Sequence, residues 1–218
     1  MSARREELEK NLRAVAEEIA PFNPTLIVVT KTYPVNDVEI LRDLGVNQFG
    51  ENRSSEGAEK SAMIPAQWHY QGEIQSKKLR EISQWANCIH SLDDAGHAEK
   101  LNRVLLESDK KIDVFIQLSL DGDTSRGGLQ EGDLLALAGS IQGLPQINLL
   151  GMMCVPPVEM DPELAFSQIE EMHQRFLSDF PAAPYLSAGM SGDYMKALNH
   201  GATHIRVGSK ILGSRQYH

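Results

Sequence analysis

Cysteine is scarce in this chain, with two among 218 residues, Cys88 and Cys154. Each lies in an apolar run, ANCIH and GMMCVP. A disulfide framework or a cysteine-rich metal knot is therefore excluded, and two buried thiols are expected. Long hydrophobic runs are lacking too. The N-terminus, MSARREELEKNLRAVAEEIA, is charged and helix-periodic, without an apolar signal core, and no later run reaches the length of a membrane span. The cytoplasm is the expected location. Positive charge is in deficit, with 21 Lys and Arg against 30 Asp and Glu, a formal net charge of −9. That argues against nonspecific nucleic-acid or anionic-membrane binding, while leaving room for a small anionic ligand in a local pocket. Internal repeats, linkers and low-complexity segments are missing, so residues 1–218 read as one domain.

What is present is a rhythm. An opening helix carries the apolar stripe Leu8, Leu12, Val15, Ala16 and Ile19, and PFNP ends it. Eight short apolar runs follow: Thr25–Thr30, NQFG, QWHYQ, NCIHS, KIDVFIQLSL, INLLGMMCV, PYLSAG and THIRVG. Between them lie helical patterns over about 35–44, from near Asn52, and over about 79–85, 94–106, 133–141, 162–177 and 193–200, with a last short helix at about 210–212. Eight alternations with nearly continuous apolar strands indicate a parallel sheet covered by helices. Eight is also the number that closes a (β/α)8 TIM barrel. The expected fold is thus α/β, a single (β/α)8 barrel with an extra N-terminal helix. The alternative, an open doubly wound sheet, would usually show a glycine-rich turn after its first strand, where this chain has KTYP.

In a barrel, function sits at the carboxyl ends of the strands. Lys31 follows the first run, GENR the second, Gly72 with Glu73 and Gln75 the third, and Asp121, Ser125 and Arg126 the fifth. Pro156 and Pro157 follow the sixth, SAGMSGD the seventh and RVGSK the eighth. Lys31 either marks a strand's exit into solvent or presents a partly desolvated amine suited to a Schiff base. Ser191 and Gly192 stand where one helix begins, and Gly208 and Ser209 open another. These are either ordinary caps or a phosphate cup in the two loops where barrels often bind phosphate. A lysine and a phosphate cup in one mouth suit a sugar-phosphate carbonyl or pyridoxal 5′-phosphate (PLP). Arg206 can reach a pyridine nitrogen or pair with a barrel carboxylate. Elsewhere, His90 and His97 are expected in surface or capping roles, and His69 in a structural one. His200 and His204 do not share a face, so no metal site is expected. Asp121 and Asp123 read as a turn, and Glu159, Asp161 and Glu163 as the approach to a solvated helix start. No Ser-His-Asp or Cys-His triad can be assembled.

The segments VVTKTYP, QFGENR, WHYQGEIQSKK, DTSRGG, GMMCVPP, LSAGMSGD and IRVGSKILGSR occur in that order between Val28 and Arg215. As a series, covering nearly the whole chain, they resemble the pyridoxal phosphate homeostasis protein family, the PLP-binding proteins also called proline synthetase co-transcribed proteins. The resemblance implies a barrel similar to the N-terminal domain of alanine racemase, PLP held as an internal aldimine, a part in vitamin B6 homeostasis, and no established turnover. A weak PLP-dependent amino-acid racemase is the alternative. Carried over by position, Lys31 is the aldimine lysine, Asn52 lies close to the cofactor and Met190 packs near it. Ser191, Gly208 and Ser209 bind the phosphate, and Arg206 faces the pyridine nitrogen. Two positions depart from the family pattern: Gln71 where an apolar residue is common, and Ser209 where threonine is common. A guanidinium keeps its proton, so Arg206 would leave the pyridine nitrogen unprotonated and weaken the ring as an electron sink. The related racemase adds a catalytic tyrosine from a second domain of a partner chain. This chain ends at His218, soon after the eighth run, so that opposite-face group is expected to be missing. A monomer that meets PLP-dependent apoenzymes transiently is expected.

Overall fold

The structure is a computed structural model that describes residues 2–123 and 127–213. Eight strands form it: β1 Thr25–Val29, β2 Gln48–Glu51, β3 Gln67–Tyr70, β4 Cys88–Leu92, β5 Ile112–Leu118, β6 Ile147–Cys154, β7 Tyr185–Met190 and β8 His204–Val207. They pair in chain order, all parallel, and β8 returns to β1 through Thr25↔His204 to Val28↔Val207. That last pairing closes the barrel and removes the open-sheet alternative. Helices cover the outside: α1 Ala3–Ile19, α2 Val35–Asp43, α3 Ser54–Met63, α4 Leu79–Trp85, α5 Ala95–Ser108, α6 Glu131–Gln142, α7 Pro162–Asp179, α8 Tyr194–Asn199 and the short α9 Ser209–Leu212. Ser125 and Arg126 of the fifth strand's loop, and residues 214 and 215 of the last motif, lie outside the described residues.

Short polar side chains cap some of the helix starts, satisfying free N–H groups there. Asp94 accepts from His97 N, and Asp161 accepts from Glu163 N and Leu164 N ahead of Pro162. The acidic stretch before α7 is thus a cap. In α1 the buried seam is Leu8, Val15 and Ile19, with Leu12 partly buried, and Ala16 is exposed. Spacings of three and four residues define a narrow seam, and Ala16 lies about 100° off it. The third helix begins at Ser54 rather than near Asn52, because Arg53 stays extended (φ −119°, ψ 124°) and carries the chain on from β2.

Two apolar regions of very different size result. The large one lies between sheet and helices, joining outward strand residues such as Val28, Phe49, Trp68 and Ile89 to Leu41, Ile82, Leu101 and Phe166. The other is small: Cys88, Phe115 and Met153, with Leu150 and Val155 against them. Phe115 stacks on His90 and meets His204 edge-on, so it belongs to the barrel interior. Both cysteines are buried and neither is in a disulfide. At Gly151 (φ +155°) a Cβ would sit 1.8 Å from Tyr185 O, so only glycine lets β6 approach β7 at the bulge.

Replacing fully buried Phe115 by alanine should leave a cavity in the barrel and cost about 3–5 kcal/mol. Urea unfolding of both proteins checks this.

Candidate functional site

β1 delivers Lys31 to the barrel mouth. Ile27 points inward: a Cβ placed on Gly50 of β2 would sit 3.1 Å from Ile27 Cγ2. Strand alternation puts Val29 and Lys31 on the same side. Thr30 faces outward and is buried; its hydroxyl donates to Glu51 Oε1 at 2.6 Å. Lys31 is half-buried, and the turn after it is tight. Thr32 sits at φ +69°, left-handed space that costs a β-branched residue about 1–3 kcal/mol. Tyr33 N donates to Thr30 O at 3.0 Å, and Tyr33 OH to Gly213 O at 2.6 Å.

The register places the other expected residues around this lysine. Val29 pairs with Gly50, and Thr30 N donates to Gly50 O, so Asn52 comes alongside Lys31. Glu51 pairs with Tyr70, which brings Gln71 alongside Asn52. Gly72 completes this edge, because a Cβ there would lie 2.1 Å from Asn52 O. On the other flank, Gly208 comes so close to Val29 that an added Cβ would be 3.1 Å from Val29 O. Met190 ends β7, paired with Arg206 and well exposed. The Ser191 hydroxyl accepts from Gly208 N at 3.0 Å and Lys210 N at 3.4 Å. Ser191 thus caps α9 rather than the helix it precedes, whose N-cap is Asp193. Asp193 Oδ1 in turn takes Met190 N at 2.6 Å. Ser209 opens α9 and is exposed.

Arg206 lies deeper, level with Ile27. It is 4% exposed and donates to Ser187 Oγ at 2.7 Å and Cys154 O at 3.1 Å. No carboxylate among the described residues bonds to it, which sets aside the alternative of a barrel salt bridge. Burial lowers its pKa to about 10, so it keeps its proton at neutral pH. Behind it runs a chain of polar contacts: Ser187 Oγ to His90 Nδ1 at 2.8 Å, His90 Nε2 to His69 Nδ1 at 2.9 Å, and His69 Nε2 to Gln48 Oε1 at 2.7 Å. With Gln48 Oε1 as the far acceptor, one set of tautomers is consistent. Ser187 donates to His90, His90 to His69, and His69 to Gln48, so both imidazoles are neutral. Burial agrees, lowering His90 well below its ordinary value and His69 to about 3.

His90 is therefore a core residue, not the surface or capping residue expected. Two signals could have found it: Cys88 and His90 alternate onto one face of NCIHS, and His69 shares that face through its pairing with Cys88. His69, Cys88 and His90 together could reach one metal ion. The two near nitrogens instead share a hydrogen bond, both far nitrogens are engaged, and burial with Asp113 pushes the Cys88 thiol up. His97 bonds Ser76 Oγ and His200 pairs with Glu163 and Glu170, away from His204 inside the barrel. Asp121 Oδ1 accepts from Asp123 N, as a turn would have it.

Comparison with known proteins places this architecture. The profile described as alanine racemase, N-terminal domain, matches residues 4–216. A pyridoxal phosphate homeostasis protein of Corynebacterium glutamicum is 43% identical over 198 residues, 87% of this chain and 90% of that protein. The chain belongs to the pyridoxal phosphate homeostasis protein family. A solved structure, PipY of Synechococcus elongatus with PLP bound, superposes with a TM-score of 0.87 at 29% identity, over 94% of this chain and all of that one. The family's barrel is that of the racemases: an alanine racemase of Clostridium difficile gives a TM-score of 0.81 at 16% identity, covering 97% of this chain and 58% of its own.

The neutral core histidines couple stability to pH. His69, His90 and His204, the last at about 4, have folded-state values below the ordinary 6.5. Their contribution is complete above about pH 6.5 and is lost as pH falls, because the unfolded chain takes up the protons first. Each contributes a slope of up to about 1.4 kcal/mol per pH unit. His200, raised by Glu163 and Glu170, works in the opposite direction. Urea midpoints should fall between pH 6.5 and 5, and a His90→Asn variant should show the shallower slope.

Proposed function

We propose that the protein holds PLP in the barrel mouth, linked to Lys31, as a carrier in cellular PLP homeostasis without turnover of its own. The observation that carries this is the register of β8, β1 and β2. It sets Lys31 between the Ser191–Gly208–Ser209 edge and Asn52, with Arg206 beneath. The lining fits such a ligand. Among the described residues, Asn52 Oδ1 and Gln71 Nε2 are buried polar atoms without a partner, and Arg206 is a buried cation bonded only to neutral oxygens. A Cβ on Gly192 would meet nothing within 4 Å, so there is room beside Ser191.

When bound, PLP supplies an aldehyde that condenses with an amine, one water leaving as the carbon–nitrogen double bond forms. Lys31 would provide that amine from its half-buried place just beyond β1. Ser191 uses its oxygen to accept from Gly208 N and Lys210 N. Its hydroxyl hydrogen is then directed elsewhere, which suits a phosphate oxygen, as do the donors of Ser209. Asn52 and Gln71 close the far edge, and Met190 provides an apolar flank. Arg206 would face the ring nitrogen as a donor that keeps its proton, which limits the ring as an electron sink and favours holding over turnover. The relatives' own name, homeostasis protein rather than an enzyme, supports the same conclusion. The proposed setting is the cytoplasm, as a monomer that meets PLP-dependent apoenzymes transiently.

A visible spectrum of the PLP-loaded protein before and after borohydride, followed by peptide mapping, tests the assignment. The pyridoxyl label should sit on Lys31, and label on another lysine would overturn it. Lys31→Ala should lose the label yet keep the wild-type circular dichroism spectrum. Exchange of amino-acid α-protons should not exceed that of free PLP; an excess would establish a racemase-like activity instead.

A further inference from the structure

Behind the barrel wall, a second lysine grips the segment that carries Lys31. Lys60 of α3 is 4% exposed. Its ammonium donates to Thr30 O at 2.7 Å and Glu51 Oε1 at 2.6 Å, and lies 3.6 Å from Glu56 Oε2. Glu51 Oε1 also receives the Thr30 hydroxyl, while Glu56 Oε2 receives Thr32 N at 2.8 Å. Arg53 braces Glu56 from outside at 3.1 Å. The residues on either side of Lys31 are thus tied to a single buried cation, Thr30 directly and Thr32 through Glu56. Held apart from this network, Thr32 would leave its left-handed conformation, which no β-branched residue prefers.

We infer that Lys60, with Glu51 and Glu56, positions Lys31: the buried ion network holds the Lys31 turn in the geometry that keeps its amine aimed into the barrel mouth. This rests on the proposed PLP function and adds residues that do not line the mouth. Stabilising the barrel alone does not require it. A cation that merely satisfied Glu51 would have no need of the Thr30 carbonyl or of a carboxylate bonded to Thr32 N. The Glu51 carboxyl is pushed up by burial and pulled down by Lys60 and Thr30, so loss of Lys60 would remove the pull that keeps it ionised. Positioning matters because the carbon–nitrogen link is reversible. Hydrolysis returns the amine and aldehyde with uptake of one water, and an amine that stays aligned recaptures the aldehyde before it escapes.

The test uses the full-length, PLP-loaded protein, with hydroxylamine trapping released aldehyde as its oxime and urea unfolding run alongside. Wild type should release PLP slowly. Glu56→Ala, which cuts the tie to Thr32 at a partly exposed site, should speed release about ten-fold with little change in the urea midpoint. Glu56→Gln, which keeps an acceptor for Thr32 N, should restore most of the difference. Lys60→Met should speed release at least as much, and where it fails to fold the Glu56 pair decides. Release at the wild-type rate from folded Glu56→Ala, with wild type labelled by borohydride at Lys31, would overturn the positioning role and leave the PLP assignment standing. Wild type that takes no label on any lysine would overturn both.

Discussion

The pairing of β8 with β1 is the constraint on which the site depends. β1 is the first strand of the barrel and β8 the last, separated by nearly the whole chain, yet Ile27 lies beside Arg206 and Val28 beside Val207. Each residue beyond that pairing is then placed by strand rise alone: Gly208 against Val29, and the opening of α9 against the Lys31 turn. α1 reinforces the closure from outside. Arg4 donates to Leu212 O and Asn11 to Ile211 O, so the helix that precedes the first strand satisfies carbonyls of the last helix. The extra N-terminal helix thus helps to hold the last helix in place beside β8. Tyr33 OH, bonded to Gly213 O, ties the Lys31 turn to the same place.

Closure also fixes where polarity is tolerated. Most of the apolar core lies between strands and helices, and the barrel interior is left to Phe115, Cys88 and Met153 among histidines, Gln48, Ser187 and Arg206. A polar group buried without a partner is costly, whereas a fully bonded chain is not. The run from Gln48 to Arg206 is fully bonded because every histidine along it is neutral and donates in one direction. That directionality holds the Ser187 oxygen as an acceptor for Arg206. Protonating His90 would put a second cation near a guanidinium that no carboxylate among the described residues bonds, so burial and charge both oppose it.

The alternation of apolar runs and helical patterns was legible because a parallel barrel buries both faces of its strands, which erases period-two patterning and leaves continuous runs. Lys31, Ser191, Arg206 and Gly208 were singled out because a barrel places function at strand ends, and the structure brings them to one end of the barrel. What sequence could not supply is which side chain meets which across strands. Lys60 looks like a surface residue of a helix, four positions from Glu56, and only the pairing of β1 with β2 reveals that Glu51 and Thr30 wait beneath it. Ser191 sits before one helix and caps another, a non-local choice invisible in SAGMSGD. His90 was misplaced for the same reason: NCIHS is short, and its inward face is set by its neighbours. Gln71, whose role the sequence left open, is now located against Gly50, with its nitrogen lacking a partner among the described residues.

In the proposed function, two lysines separated by one strand's thickness have opposite tasks. An amine that is to react must spend time neutral, and so must not be surrounded by acceptors that fix its charge. A cation that is to hold a backbone carbonyl and a buried carboxylate must never be neutral, and Lys60 has those acceptors within 2.7 Å. The two lysines are kept apart by one feature of strand geometry, the reversal of side-chain direction between Thr30 and Lys31. Thr30 turns outward to the ion network, and Lys31 turns inward, beside the layer of Asn52 and Gln71. Exchanging the two environments would require slipping β1 by one residue, which would also turn Val28 into the mouth and Ile27 into the helix layer. The apolar packing of the outer shell thus decides which lysine faces the barrel mouth.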